Sequence, residues 1–145
     1  MEQLAKLFLK AKREPTCLVT DRETALMNAQ ALIFPKAKFL LCRRHVKQNI
    51  QDFAGKRTDK ERASRLSNDY YELFKQKTEM AYKMCLSRIT MYWKDLPMVH
   101  AYVQRSWLNP YKDRLVSAWT DNVFSLGQNT TNRYVTLKLA STRMI

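Results

Sequence analysis

Two prolines, Pro15 and Pro35, most constrain how this chain can fold, because each stands before a short apolar run and helical periodicity fills the stretch between them. Pro15 introduces a run that closes with Leu18 and Val19. Thr20 and Glu23 then have capping-box spacing, in which Thr accepts from one backbone N–H and Glu reaches back to another. Ala25, Leu26, Ala29, Leu32 and Ile33 recur at helical spacing and predict one apolar face. Pro35 ends that helix, since the residue before proline is pushed out of the α region. Phe39, Leu40 and Leu41 read as a buried strand. Cys42, Arg43, Arg44 and His45 open a polar segment, and Val46, Ile50 and Phe53 continue at helical spacing. Strand, helix and strand in succession imply a crossover and a parallel pair. Asp21 then falls at a strand's carboxyl end, where open α/β sheets place their ligands.

Length and composition fit this reading. At 145 residues the chain allows one domain, and 46% hydrophobic residues can fill a core. The net charge of +13, from 26 basic against 13 acidic residues, suits a polyanion partner, DNA or RNA first. The alternative is a basic surface that is merely solvated. Cys17, Cys42 and Cys85 are odd in number and widely spaced, so they indicate no disulfide framework and fit a reducing intracellular setting. No apolar run approaches the roughly 20 residues of a membrane span. The opening MEQLAKLFLKAKREP is too charged for a signal peptide. With only two glycines there is no Gly-rich phosphate loop and no flexible linker.

The strings TDRETALMNA and IFPKAKFLLCRRHVKQNI resemble the core signature of the Mutator-like (MULE) transposase domain. The resemblance rests on Thr20, Asp21, Arg22, Ala25, Leu26, Phe34, Pro35, Cys42, His45, Asn49 and Ile50, which fall in order over about thirty positions. A common family variant has Trp between the Cys and the His, where this chain has Arg44. The resemblance implies an α/β fold, a partial ribonuclease H-like core with a parallel strand pair and a mostly helical insertion, helix-rich overall. It makes residues 1–145 a single partial domain, truncated or degenerate, with an α/β core unit at about 15–53, a helical insertion at about 59–122 and a degenerate final catalytic segment at 123–145. The expected location is intracellular, and the nucleus if the source is eukaryotic.

Outside the central unit the pattern is helical. Leu4, Leu7, Phe8 and Ala11 make an apolar stripe with lysines on the other face. Residues 54–60 read as a polar connection. Leu66, Tyr70, Leu73, Phe74, Ala81, Met84, Cys85, Ile89 and Tyr92 follow a three-to-four spacing, which predicts one or two long amphipathic helices ended by Pro97. Tyr102, Trp107, Leu108, Tyr111, Leu115 and Trp119 resemble the family's spaced tryptophans, and large aromatics of this kind chiefly fill cores. In the tail, Gly127, Thr130, Thr131, Asn132 and Arg133 match the family pattern. Ser125 then stands where the family usually has His, Val135 where it has the catalytic Glu, and Leu137 and Lys138 near a second His.

The chemistry implied by the resemblance is metal-dependent DNA cleavage and strand transfer. Two divalent ions, Mg²⁺ or Mn²⁺, are held by clustered carboxylates because hard cations want oxygen ligands. The family's set is Asp, Asp, Glu. Asp21 matches the second Asp and would be the catalytic metal ligand. The first Asp would lie on an earlier strand, upstream of Met1, and the Glu position is Val135. With one carboxylate of three, the chain is expected not to cleave or join DNA and to bind no metal productively. Glu23, Asp113 and Asp121 are other acids to weigh. Without family context, Asp21 would read as a helix cap.

Cys42 and His45, at i and i+3, share a helix face. A zinc site needs four ligands, with Cys85 or His100 as the remaining candidates, so packing is favoured over zinc. Lys36, Lys38, Arg43, Arg44 and Lys47, followed by Lys56 and Arg57, form a basic cluster suited to salt-sensitive phosphate contacts. DNA is the expected partner, with no membrane and no small-molecule substrate. The second reading is a non-catalytic basic remnant that binds DNA or protein. A third, a small zinc-dependent interaction domain, ranks last.

Overall fold

The structure is a computed structural model that describes residues 17–121 together with Lys6, Lys10 and Pro15. The expected first helix and the family-pattern positions Ser125, Gly127, Thr130, Thr131, Asn132, Arg133, Val135, Leu137 and Lys138 lie outside these residues, apart from Lys6 and Lys10, which are helical and exposed. The chain forms two compact units, one running to Leu41 and the other beginning at Cys42.

The first unit contains strand β1 (Cys17–Thr20), helix α1 (Thr24–Ile33) and strand β2 (Lys38–Leu41). The strands pair in parallel, with Cys17 opposite Lys38 and Thr20 opposite Leu41. A parallel pair cannot be joined by a tight turn, so α1 serves as the crossover. Pro35 does stop the helix: the Phe34 N–H bonds the Gln30 carbonyl and the chain turns there. Leu18, Phe34 and Ala37 form the unit's core, with Ile33 and Phe39 packed against it.

Three local expectations need correction. Thr20 does not cap α1. It stays in β1, paired with Leu41, and the helix begins three residues later than a capping box at Thr20 would place it, with Glu23 as its N-cap and no side-chain cap bond. The Glu23 N–H instead bonds the Asp21 carbonyl at 2.8 Å, making a tight turn at the strand's end. The buried face of α1 is also rotated. Leu32 is 84% exposed and Ala25 is exposed, while Gln30 is fully buried. Ile33 and Phe34 must meet Leu18 and Ala37, and that orientation carries Gln30 inward. Finally, Phe39 and Leu40 are only half-buried, so β2 is not the fully covered strand that its apolar run suggests.

The second unit is helical: α2 (Arg43–Gly55), α3 (Lys60–Phe74), α4 (Glu79–Tyr92), α5 (Pro97–Val103), a π-helical turn (Gln104–Leu108), α6 (Asn109–Leu115) and the single turn α7 (Ser117–Thr120). Asp59 caps α3 by accepting from the Arg62 N–H, and Thr78 caps α4 by accepting from the Ala81 N–H. The polar connection expected at 54–60 is tighter than it reads, because α2 runs on to Gly55 before the turn. The apolar spacing from Leu66 to Tyr92 forms two helices, within the one or two expected, separated at 75–78. Leu66, Tyr70, Leu73 and Phe74 are buried on α3, and Cys85 and Ile89 on α4, but Met84 and Tyr92 face solvent. Pro97 does not end that run; Tyr92 does, and Pro97 opens α5, where its missing N–H costs nothing.

The π turn has a local cause. Pro110 has no N–H, and its ring would crowd the carbonyl four residues back in a regular helix. The preceding turn widens, with the Asn109 N–H bonding the Gln104 carbonyl five residues earlier. Trp107 and Leu108 on this turn are buried. The expectation that the aromatics act as core holds for Trp107. Tyr102, half-buried, stacks on Phe53 at 4.0 Å between ring centroids, and Trp119 meets Tyr82 edge-on at 4.9 Å.

A partly buried polar chain ties three helices of this unit. The Tyr70 hydroxyl on α3 lies 2.6 Å from His100 Nδ1 on α5. His100 Nε2 lies 2.9 Å from the carbonyl of Trp93, the residue that ends α4. A carbonyl can only accept, so Nε2 carries the proton and Nδ1 accepts from Tyr70. The Trp93 indole donates to Asp69 Oδ2 at 2.7 Å, returning the chain to α3. Burial pushes the Tyr70 phenol well above the usual tyrosine range.

Two outcomes follow for stability. Tyr70→Phe leaves His100 Nδ1 without its donor and should destabilise the protein by about 1–3 kcal/mol in urea unfolding. Because the folded Tyr70 holds its proton more tightly than an unfolded tyrosine, its contribution is intact below about pH 10 and is lost as pH rises above that value. The wild type should therefore lose more stability than Tyr70→Phe between neutral pH and alkali. Gln30 is the opposite case: fully buried, its amide makes no hydrogen bond among the described residues. Gln30→Leu should raise stability by about 1 kcal/mol, read as a higher urea midpoint.

Candidate functional site

The register of the strand pair positions the candidate site. Thr20 and Leu41 are partners, so the two strands end level, and the next residues in the chain are Asp21 and Cys42. Asp21 is half-buried at the carboxyl end of β1, in the turn closed by the Glu23 N–H. Among the described residues of the first unit the carboxylates are Asp21 and Glu23, and Glu23 is exposed as the N-cap of α1.

Cys42 is the N-cap of α2, with extended backbone and no side-chain cap bond. The Val46 N–H bonds its carbonyl at 3.1 Å, starting the helix. His45 is exposed on the first turn, and a ring nitrogen of it and the Cys42 sulfur lie within 4.8 Å of each other. The zinc candidates elsewhere are otherwise occupied. Both ring nitrogens of His100 are engaged by Tyr70 and Trp93. Cys85 is buried, which raises its thiol pKa and disfavours the thiolate that a metal needs. Asp113 and Asp121 are exposed in the second unit, Asp113 on α6 and Asp121 just after α7.

The basic cluster separates by environment. Arg43 is half-buried; its Nε donates to the Leu115 carbonyl at 2.9 Å and an Nη to Ser117 Oγ at 2.7 Å. It thereby satisfies a carbonyl at the C-terminal end of α6, where helix carbonyls lack partners and a cation is favoured. Lys47 is half-buried with its ammonium 5.5 Å from the Tyr71 ring centroid. Arg44 is exposed on α2, as are His45, Gln48 and Asn49 along it and Lys56 just after its end. Arg57 bonds the Phe53 carbonyl and lies over the Phe53 ring at 3.7 Å. Lys36 is exposed in the turn after α1, and Lys38 is half-buried on β2. Between Cys42 and Asp121 the sequence holds 16 Lys and Arg against 9 Asp and Glu, so the helical unit is basic in its own right.

Sequence reasoning missed the Arg43 anchor, because its partners lie 72 and 74 residues away. Ser117 and Arg43 carry no local pattern that joins them.

The comparisons bear on the first part of the chain. Residues 1–49 match the MULE transposase domain family. The matched segment contains β1, α1, β2 and the first half of α2, with Asp21, Cys42 and His45 inside it. Over these residues the chain is similar to the MULE transposase domain. No match to the chain was found among curated proteins or among solved structures. The strand-end Asp21 thus lies within the MULE-matching residues, as the sequence resemblance implied. Among the described residues, no helix is long and apolar enough to cross a membrane.

The environments of Arg43 and Arg44 predict a split. Arg43→Ala should lower stability by about 2–3 kcal/mol, because two hydrogen bonds to a charged donor are lost and a half-buried carbonyl is stranded. Arg44→Ala should leave the urea midpoint within about 0.5 kcal/mol of wild type, as for other exposed substitutions.

Proposed function

We propose that the chain is part of a MULE-type transposase, with β1, α1 and β2 a segment of a ribonuclease H-like core, and that its property in this form is binding to DNA. The observation that carries the reading is the MULE-matching parallel strand pair, with Asp21 at the carboxyl end of β1. The basic helical unit that follows supports the choice of partner. In this reading Arg44, Lys36 and Lys56 contact phosphate, since they are exposed. Lys38 and Lys47 add positive charge, and Arg43 holds α2 to the C-terminal end of α6.

Transposition in this family uses Mg²⁺ or Mn²⁺, which would activate the attacking oxygen and stabilise the leaving one. A pair of such ions needs several oxygen ligands fixed together. Asp21 and the exposed Glu23 do not supply that set among the described residues of the first unit, and Val135 stands at the position the family gives to Glu. The donors present do not fit the pair. Asp21 is in this reading the ancestral metal ligand, and the Cys42–His45 pair a packing motif at the start of α2.

Binding through phosphates releases counterions and is steeply salt-dependent. If four phosphates are neutralised, affinity for a duplex should fall about a hundredfold between roughly 50 and 200 mM salt. It should persist in EDTA and in Asp21→Ala, and weaken in Arg44→Ala and Lys36→Ala without loss of stability. Fluorescence anisotropy with a labelled duplex reads all four. A plasmid-nicking assay with Mg²⁺ or Mn²⁺ should give no Asp21-dependent product. Nicking that Asp21→Ala abolishes would restore the catalytic reading, and salt-insensitive or absent binding would remove the DNA reading.

A further inference from the structure

Helix α4 is apolar on two opposite faces. Tyr82, Cys85 and Ile89 are buried against the helical unit. On the other side Met80, Met84 and Met91 are 71%, 61% and 75% exposed. Their spacing of four and then seven residues puts them on one line along the helix, opposite the buried face. Tyr92 is 65% exposed at its end, and Met98 is 63% exposed at the start of α5. An open groove of about 810 Å³ runs alongside, lined by Arg65 and Glu72 from α3 and by Arg88, Met91 and Tyr92 from α4. Methionine is flexible and polarisable, and exposed Met-rich faces suit protein surfaces that must repack around a partner.

Charge selects the partner. Lys83 and Arg88 flank the stripe on either side, with Lys77 and Lys94 beyond its ends. The one acid on the same helix, Glu79, pairs with Lys83 at 3.0 Å in an exposed bridge, weak enough for a partner carboxylate to share the ammonium. Across the groove Glu72 is held by Lys75 at 2.7 Å, and Asp69 accepts from the Trp93 indole. A second copy of this chain is the wrong shape electrostatically. An antiparallel two-fold pairing that lays Met80 on Met91 sets Lys83 opposite Arg88 and Lys77 opposite Lys94. A parallel pairing sets each lysine against itself. Like charges in those positions oppose association.

We infer that the Met80–Met84–Met91 face of α4 docks an amphipathic helix with acidic flanks, supplied by a partner protein. The partner's apolar stripe covers the methionines, and its Glu or Asp side chains meet Lys83 and Arg88. The inference goes beyond the DNA reading and stands or falls separately from it, since none of the residues invoked there lies on α4.

The test uses the full 145-residue chain and two synthetic helical peptides. They share one leucine stripe and differ only in flanks, Glu in one and Lys in the other. Fluorescence anisotropy should show the Glu-flanked peptide binding at least about tenfold more tightly than the Lys-flanked one. The double variant Met84→Ser, Met91→Ser should remove that binding while circular dichroism stays unchanged, because both side chains are exposed. Lys83→Glu with Arg88→Glu should reverse the preference. The inference is overturned if neither peptide binds, if both bind equally, or if the serine variant binds as wild type does. It is also overturned if sedimentation shows a dimer that the serine variant dissolves, which assigns the face to a second copy. Loss in that variant of binding to phosphatidylserine vesicles, with no peptide binding in wild type, assigns it to a lipid surface.

Discussion

The imidazole of His100 is the constraint on which the helical unit depends. It stands where three helices meet, and each ring nitrogen has a distinct partner: the Tyr70 hydroxyl from α3 and the Trp93 carbonyl that ends α4. A neutral imidazole has one donor and one acceptor, and both are used here. Neither partner can be exchanged for the other, so the arrangement fixes the tautomer and the relative placement of α3, α4 and α5 together. Trp93 adds a second tie through its indole to Asp69, with the Arg62 guanidinium 5.3 Å from the ring centroid. A buried polar chain is costly when incomplete and specific when complete. Here it does what a further apolar contact could not, because an apolar contact tolerates a sliding helix and a hydrogen bond of 2.6 Å does not.

At the strand pair a different constraint acts. Thr20 could serve as a helix cap or as the last residue of β1, but it cannot do both. Pairing with Leu41 wins because the strand's backbone groups must be satisfied somewhere, and the parallel ladder satisfies them directly. The consequence is that Asp21 begins a turn rather than a helix, with its carbonyl already bound by the Glu23 N–H. Its side chain is set at the carboxyl edge of the sheet by the backbone of its own neighbours. That is the position in which an α/β fold displays a ligand-binding carboxylate, and it lies inside the MULE-matching residues.

Much of this was legible in the sequence, and the misses have physical causes. Pro35 marked the end of α1, and the apolar runs marked both strands and their parallel pairing, because backbone sterics and periodicity act locally. The face of α1 was misjudged since periodicity counts apolar residues. It cannot see that Ile33 and Phe34 must meet Leu18 and Ala37, a choice that buries Gln30 and exposes Leu32. Two amphipathic helices form between Leu66 and Tyr92, within the one or two expected, but Met84 and Tyr92 were placed on the wrong face for a related reason. The three-to-four spacing continues through the turn at 75–78, but the chain reverses there, and a new helix need not keep the old face. Arg43 read as one more cation in a basic cluster. Its fork is turned inward by Leu115 and Ser117, and no local pattern announces a partner more than seventy residues away.

The difference between Arg43 and Arg44 shows how a basic cluster divides its roles. Both sit on the first turn of α2, a hundred degrees apart around the axis. One step of the helix turns Arg43 toward the end of α6, where unpaired carbonyls attract a cation, and turns Arg44 to solvent. The same geometry governs α4, where Ile89 points inward and Met91, two positions on, points out. In both helices composition alone predicts uniform behaviour, all basic or all apolar, and position on the cylinder divides it. A net charge of +13 therefore overstates the cation available to a polyanion. Part of it is committed to holding helices together, as at Arg43, and part to aromatic faces, as at Lys47 and Arg57. What faces solvent is a smaller and more defined set, and any electrostatic partner of this chain is selected by that set.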